Sequence, residues 1–194
     1  VKAKFFSNRP FRGAAVCLLG VFVLLLLLSA KGFAQDLNQE LVSAALAGDA
    51  AAVESLLQKG ADANASDELA NTALTCAIQS NKAECVTTLL DNGADVNEKN
   101  LSGYPPIVLA TCKCNTKMVR ALLDKGADVN ATDPYDWTAL MNAVYQNDAE
   151  IVKILLDSGA DVHAKNYLGR SALFMAASLG RKEIEPILRA AGAK

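Results

Sequence analysis

Histidine is almost missing: the 194 residues contain one, His163. With so little imidazole, neither a Ser-His-Asp nor a Cys-His dyad is persuasive, and a His-rich zinc site is excluded. No Gly-rich phosphate loop and no EF-hand spacing occur. Aromatic residues are only 6%, and the long β-branched runs of a sheet protein are absent. No acid occurs among residues 1–34, and no polybasic run follows them. Lys2, Lys4, Arg9, Arg12 and Lys31 are five of the 19 basic residues. Without them 14 bases face 21 acids, so the remainder carries about −7. That balance argues against nucleic-acid binding, which needs clustered Lys and Arg.

What is present points to helices. The apolar fraction is 52% and the charged fraction 21%, a composition that can bury a core. Ala and Leu are abundant.

The N-terminal segment, 1–34, falls into three parts. A basic start is followed by an uncharged stretch from Gly13 to Ala30, densest at Leu24 to Leu28. Gly32 and Ala34 then supply the small residues of a signal-peptidase site, so the expected cut lies between Ala34 and Gln35. The sequence thus predicts a signal peptide over 1–34 and a mature domain over 35–194, exported to the periplasm or cell exterior. The competing reading is an uncleaved anchor, with residues 13–30 spanning the bilayer and tethering the domain.

Beyond this segment the chain repeats at one fixed interval, the step from Gly60 to Gly93. Gly-Ala-Asp begins at Gly60, Gly93, Gly126 and Gly159, and Gly192-Ala193 continues the series. Thr72-Ala73-Leu74, Pro105-Pro106-Ile107, Thr138-Ala139-Leu140 and Ser171-Ala172-Leu173 keep the same register. So do the Leu pairs that begin at Leu56, Leu89, Leu122 and Leu155. Small residues at Ala44, Ala77, Ala110, Ala143 and Ala176 let neighbouring helices approach. Second helices carry one apolar stripe each, as at Ile151, Ile154 and Leu155. The glycines are expected to stop these helices in the left-handed conformation. Asp62, Asp95, Asp128 and Asp161 are expected to cap the following turns.

These three motifs resemble the ankyrin-repeat family, here of an exported bacterial type. The resemblance implies an all-α solenoid of about five helix-turn-helix repeats with β-turn or hairpin loops, preceded by the hydrophobic signal helix. The repeats are placed at about 36–64, 65–97, 98–130, 131–163 and 164–194. The family's Thr-Pro-Leu-His-x-Ala opening aligns with Thr72 to Ala77 and its three successors. Its His is replaced by Thr75, Val108, Met141 and Phe174, so its bonds between repeats must be absent or supplied otherwise, and looser repeats are expected. Terminal repeats should be atypical and face water.

His163 aligns with Asn64, Asn97 and Asn130 and reads as a loop residue bonding a neighbouring turn. Cys76 and Cys85 align with core positions, while Cys112 faces outward. Cys114 aligns with Gly48, Asn81, Asn147 and Gly180, at a turn where Gly and Asn tolerate positive φ. An irregular third repeat, or a disulfide among Cys76, Cys85, Cys112 and Cys114, is therefore expected. A Cys-based metal or redox role is the lesser alternative, and no cofactor or metal is expected.

The family likeness implies a non-catalytic, monomeric protein-interaction module that uses loop tips and the outward side of first helices. Carried over by position, this gives Asn71, Tyr104, Trp137 and Arg170 before the helices, Leu101, Tyr135 and Tyr167 at the tips, and Tyr145 and Gln146 at a first-helix end. The fourth repeat concentrates Tyr135, Trp137 and Tyr145, residue types enriched in binding hot spots. Packing of Trp137 on the next loop is the alternative.

Overall fold

The computed structural model describes residues 35–194. The expected signal or anchor segment and Cys17 lie outside the described residues. Among the described residues, no helix is long and apolar enough to cross a membrane.

The described residues form five helix-turn-helix pairs. Their helices are α1 (35–47), α2 (Ala50–Gln58), α3 (Ala73–Gln79), α4 (Ala83–Asp91), α5 (Pro106–Cys112), α6 (Thr116–Asp124), α7 (Ala139–Gln146), α8 (Ala149–Asp157), α9 (Ala172–Ser178) and α10 (Ile184–Ala190). First helices pack on first helices, α3 on α5, α5 on α7 and α7 on α9. Second helices do likewise from α2 through α10, so two helical layers run the length of the array.

Local chemistry sets each boundary. Thr72, Thr138 and Ser171 accept hydrogen bonds from the amides of Thr75, Met141 and Phe174, capping α3, α7 and α9. The third repeat has Pro105 at the cap, with no hydroxyl, and Pro106 at the first helical position, where an amide is dispensable. The hairpin loops carry isolated antiparallel bridges rather than strands: Ser66 with Thr72, Thr132 with Thr138 and Lys165 with Ser171. In the second repeat, Ala73 donates to the Ala65 carbonyl at 2.9 Å. Pro106 occupies the Ala73 position in the third repeat and has no N–H to give, so the loop there forms no bridge.

Gly60, Gly93, Gly126 and Gly159 end the second helices at φ of 96°, 89°, 85° and 87°, as the periodic pattern predicts. The turn between helices is left-handed in all five pairs: φ is 78° at Gly48, 58° at Asn81, 51° at Cys114, 64° at Asn147 and 65° at Gly180. The irregularity expected at Cys114 is therefore not one of φ. Cys114 N–H donates to the Thr111 carbonyl as Asn81 and Asn147 donate to Ile78 and Val144. The bond that Asp49, Lys82, Asp148 and Arg181 make to Ala44, Ala77, Ala143 and Ala176 has no counterpart from Asn115 to Ala110, so the third turn keeps the φ of its fellows and lacks one of their bonds.

Packing is read from columns of equivalent residues. Val53, Val86, Val119 and Val152 are wholly buried, 0% exposed. Leu56, Leu89, Leu122, Leu155 and Leu188 form a second buried column. Each such side chain contributes about 1.5–3 kcal/mol on burial. Ala77, Ala110, Ala143 and Ala176 are buried between helices, while Ala44 of the first pair is half-buried. In the fifth pair the Val position becomes Glu185 and the position of Leu57, Leu90, Leu123 and Leu156 becomes Arg189. The two make an ion pair at 2.8 Å. Among the described residues no further repeat covers this face, and the polar pair meets water there.

Bonds between repeats run through the hairpin loops. Asn64, Asn97 and Asn130 accept through Oδ1 from the amides of Asp95, Asp128 and Asp161 in the next repeat, at 2.7–2.8 Å, and Asn38 accepts likewise from Asp62 within the first repeat. The same aspartates cap their own turns, accepting from the amides of Asn64, Asn97, Asn130 and His163 at 2.8–2.9 Å. Thr75, Val108 and Met141, at the positions of the family His, are 1% exposed or less.

Candidate protein-binding surface

Each hairpin tip is held by one Asx side chain, which recurs in the same register of every repeat from the second to the fifth. Asp67 accepts from the amides of Leu69 and Asn71, Asn100 from Tyr104, Asp133 from Tyr135 and Trp137, and Asn166 from Leu168 and Arg170. These bonds of 2.8–3.0 Å leave the tip side chains outside the backbone network. Ala70, Gly103, Asp136 and Gly169 complete the tips in the left-handed region.

The candidate residues divide by setting. Asn71 is half-buried and donates to Asp67 Oδ2 at 3.0 Å, so it serves its own loop. That bond is the largest cause holding the Asp67 carboxyl below its ordinary value. Tyr104 is half-buried against the core, and burial, then Asp133, raises its hydroxyl pKa. Leu101 stands out at 72% exposure. Tyr135 and Tyr167 are exposed and meet at 5.7 Å between ring centres, while Tyr167 N–H donates to the Tyr135 carbonyl. Trp137 is half-buried against the core and meets the exposed Tyr145 edge-on at 5.8 Å. Trp137 thus packs against the core on one side and against Tyr145 on the other. Gln146 is exposed beside Tyr145. Arg181 reaches back from the fifth repeat and donates to the Tyr145 carbonyl at 2.6 Å.

Two features escape the positional reading. Phe174 is 53% exposed although Thr75, Val108 and Met141 at its position are buried. Arg170 lies over its ring, 5.8 Å from the centre. The signal was its place in the last pair of the series: among the described residues no helix follows to cover it. The second is Leu168, 50% exposed beside Tyr167. Together Tyr135, Tyr145, Tyr167, Leu168 and Phe174 make repeats four and five an exposed apolar surface.

The cysteines do not form the expected disulfide; all four thiols of the described residues are free. Cys76 and Cys85 are buried as core hydrophobes. Burial, then the charge of Asp67, pushes the Cys76 thiol up to about 11, and burial also raises that of Cys85. Cys112 is exposed and its thiol donates to Asn142 Oδ1 at 3.4 Å, across to the next repeat. Cys114 is exposed at its turn, which the backbone holds without a bridge.

For catalysis the surface offers little. His163 is exposed at the end of the Asn column, its amide bound to Asp161. Among the described residues no group of three His, Cys, Asp or Glu side chains gathers as a metal site. An open hollow of about 430 Å³ lies at the turns of the first three repeats, lined by Gly48, Asn81 and the exposed Lys82, Glu84 and Lys117.

A search of curated proteins returns no match. A family model described as ankyrin repeats, three copies, matches residues 41–133 and 129–194. That match covers most of the chain and coincides with the helix pairs, Asx-held tips and glycine stops described above, so the chain belongs to the ankyrin-repeat family, whose members are generally protein–protein interaction modules and typically non-catalytic.

Proposed function

We propose that this protein is a non-catalytic interaction module that binds one protein partner through the hairpin tips and first-helix ends of its fourth and fifth repeats. The observation carrying this reading is the paired aromatic surface. Tyr135 with Tyr167 forms a tilted contact and Trp137 with Tyr145 an edge contact, and three of the four rings are more than half exposed. Exposed aromatics in such number have no packing role to fill, and they provide contact area at low entropy cost. Leu101, Arg170 and Gln146 extend the surface, Tyr104 is half-buried beside it, and Asn71 holds the tip of the second repeat.

The partner is met outside the cytoplasm. The basic start, apolar stretch and Gly-Phe-Ala ending of residues 32–34 support export with cleavage between Ala34 and Gln35. The proposed domain division follows from it: 1–34 removed, 35–194 retained as a monomer. If the segment is retained, residues 13–30 tether the same module to the membrane. Intact mass of the exported protein separates the two forms.

Affinity capture with the tagged protein tests the binding claim. Tyr145→Ala combined with Tyr135→Ala is expected to abolish capture while leaving the melting temperature within a few degrees, because both side chains are exposed. Undiminished capture by this variant overturns the assignment of the surface.

A further inference from the structure

The fifth repeat departs from the others in charge as well as in exposure. Residues 163–182, its hairpin and first helix, contain Lys165, Arg170, Arg181 and Lys182 and no acid. The equivalent span of the fourth repeat, 130–149, contains Asp133, Asp136 and Asp148 and no base. In the second and third repeats, 64–83 and 97–116, both signs occur. A cationic patch thus stands at one end of a domain whose balance is about −7.

The patch is available. Arg181 is engaged by the Tyr145 carbonyl, but Lys165, Arg170 and Lys182 are exposed and form no ion pair among the described residues. Lys165 and Arg170 flank the tip that carries Tyr167 and Leu168, both at least half exposed. Arg170 also covers one face of Phe174. Unpaired cations beside exposed aromatic and aliphatic side chains match a ligand that is itself anionic and apolar.

We propose that the fifth repeat docks an acidic protein segment, one in which Asp or Glu alternates with aromatic or aliphatic residues. This rests on the binding function proposed above and names the chemistry of the partner. The carboxylates sit over Lys165, Arg170 and Lys182. The apolar residues lie against Tyr167, Leu168 and Phe174. An anionic bilayer or a nucleic-acid backbone presents a broad field of negative charge, which the acidic remainder of the domain repels. A short acidic segment meets only the local patch.

The test uses the full chain and a fluorescein-labelled peptide in which Glu and Asp alternate with Phe and Leu. Its controls are the same peptide with Lys for every acid, phosphatidylserine vesicles and a single-stranded oligodeoxynucleotide. The acidic peptide is expected to bind in preference to all three and to weaken with salt. Lys165→Glu with Arg170→Glu, two exposed positions whose circular dichroism and melting should be unchanged, is expected to weaken it about tenfold or more. Equal binding of acidic and basic peptides, an unchanged affinity in the double variant, or preference for vesicles or oligonucleotide overturns the proposal. The outcome is separable from that of the broader reading. If the Tyr135→Ala, Tyr145→Ala variant loses its captured partner while the charge-reversed variant keeps it, the binding function stands and the acidic-segment proposal falls.

Discussion

The Val column and the column that ends the first helices behave in opposite ways along the array. Val53, Val86, Val119 and Val152 are one residue type, wholly buried, until Glu185 replaces them at the open end. Leu46, Gln79, Cys112, Tyr145 and Ser178 share a register and an exposed setting but no chemistry. Each interior position faces the same neighbour in the next repeat, so the physical demand on it is identical from one repeat to the next. An outward position meets solvent and whatever side chain its neighbours happen to place beside it, as Cys112 meets Asn142 and Tyr145 meets Trp137. Stability is therefore written in the columns that repeat, and specificity in the columns that do not.

Substitution of one residue from each column breaks the comparison most directly. Val119→Asp places a carboxylate in a site with 0% exposure and is expected to cost about 4 kcal/mol, detected as loss of cooperative unfolding in urea. Gln79→Asp, in the exposed column, should stay within about 0.5 kcal/mol of the parent. Similar losses from both would show that the outward column also carries stability.

Backbone positions give smaller effects. Gly126 has φ of 85°, and a Cβ added there meets nothing within 4 Å. Gly126→Ala should thus cost only the backbone term, about 1–2 kcal/mol in the same urea titration. Cys114→Gly runs the other way. The Cys holds φ of 51° where Gly48 and Gly180 hold 78° and 65°. Relief of that strain is expected to stabilise by about 0.5–1 kcal/mol, read as a higher melting temperature. A lower one would show that the Cys114 side chain makes a contact worth more than the strain.

The smallest effect concerns pH. The Asp67 carboxyl is held below its ordinary value of 3.8, chiefly by the bond from Asn71. Its contribution to stability is present above that ordinary value and is lost as pH falls through the depressed one. Asp67→Asn keeps the loop acceptor that Asn100 and Asn166 provide elsewhere. The variant should be slightly less stable at neutral pH, and the gap should close as acid is added. A gap that is constant with pH removes the charge from the explanation.

Much of this could be read from residue order, for reasons that lie in the columns. Glycine stops, Thr and Ser caps and Asp turns are local devices acting within a few residues, and their spacing betrays them. The shared position of Asn64, Asn97, Asn130 and His163 read as a loop site bonding a neighbouring turn, but the partner, the amide of Asp95 and its fellows 31 positions on, was not legible. The turn at Cys114 was legible in part: it takes the left-handed φ of its fellows, but Asn115 makes no bond back to Ala110 where the other four turns bond back to their alanines. Phe174 was assigned by alignment to a position that is buried elsewhere, and its exposure depends on there being no following helix among the described residues. Trp137 reads from the sequence as either a binding residue or one packed on the next loop; the structure packs it against the core and against Tyr145. The exposure of Tyr135, Tyr145 and Tyr167 followed from register alone.

Hydrogen–deuterium exchange of the full chain, with and without its captured partner, tests the central claim most directly. Protection is expected over the tips and first helices of the last two repeats, residues 132–147 and 165–179, with little change in α4, α6 and α8. Protection concentrated on those second helices, with the aromatic tips unaffected, would contradict the account.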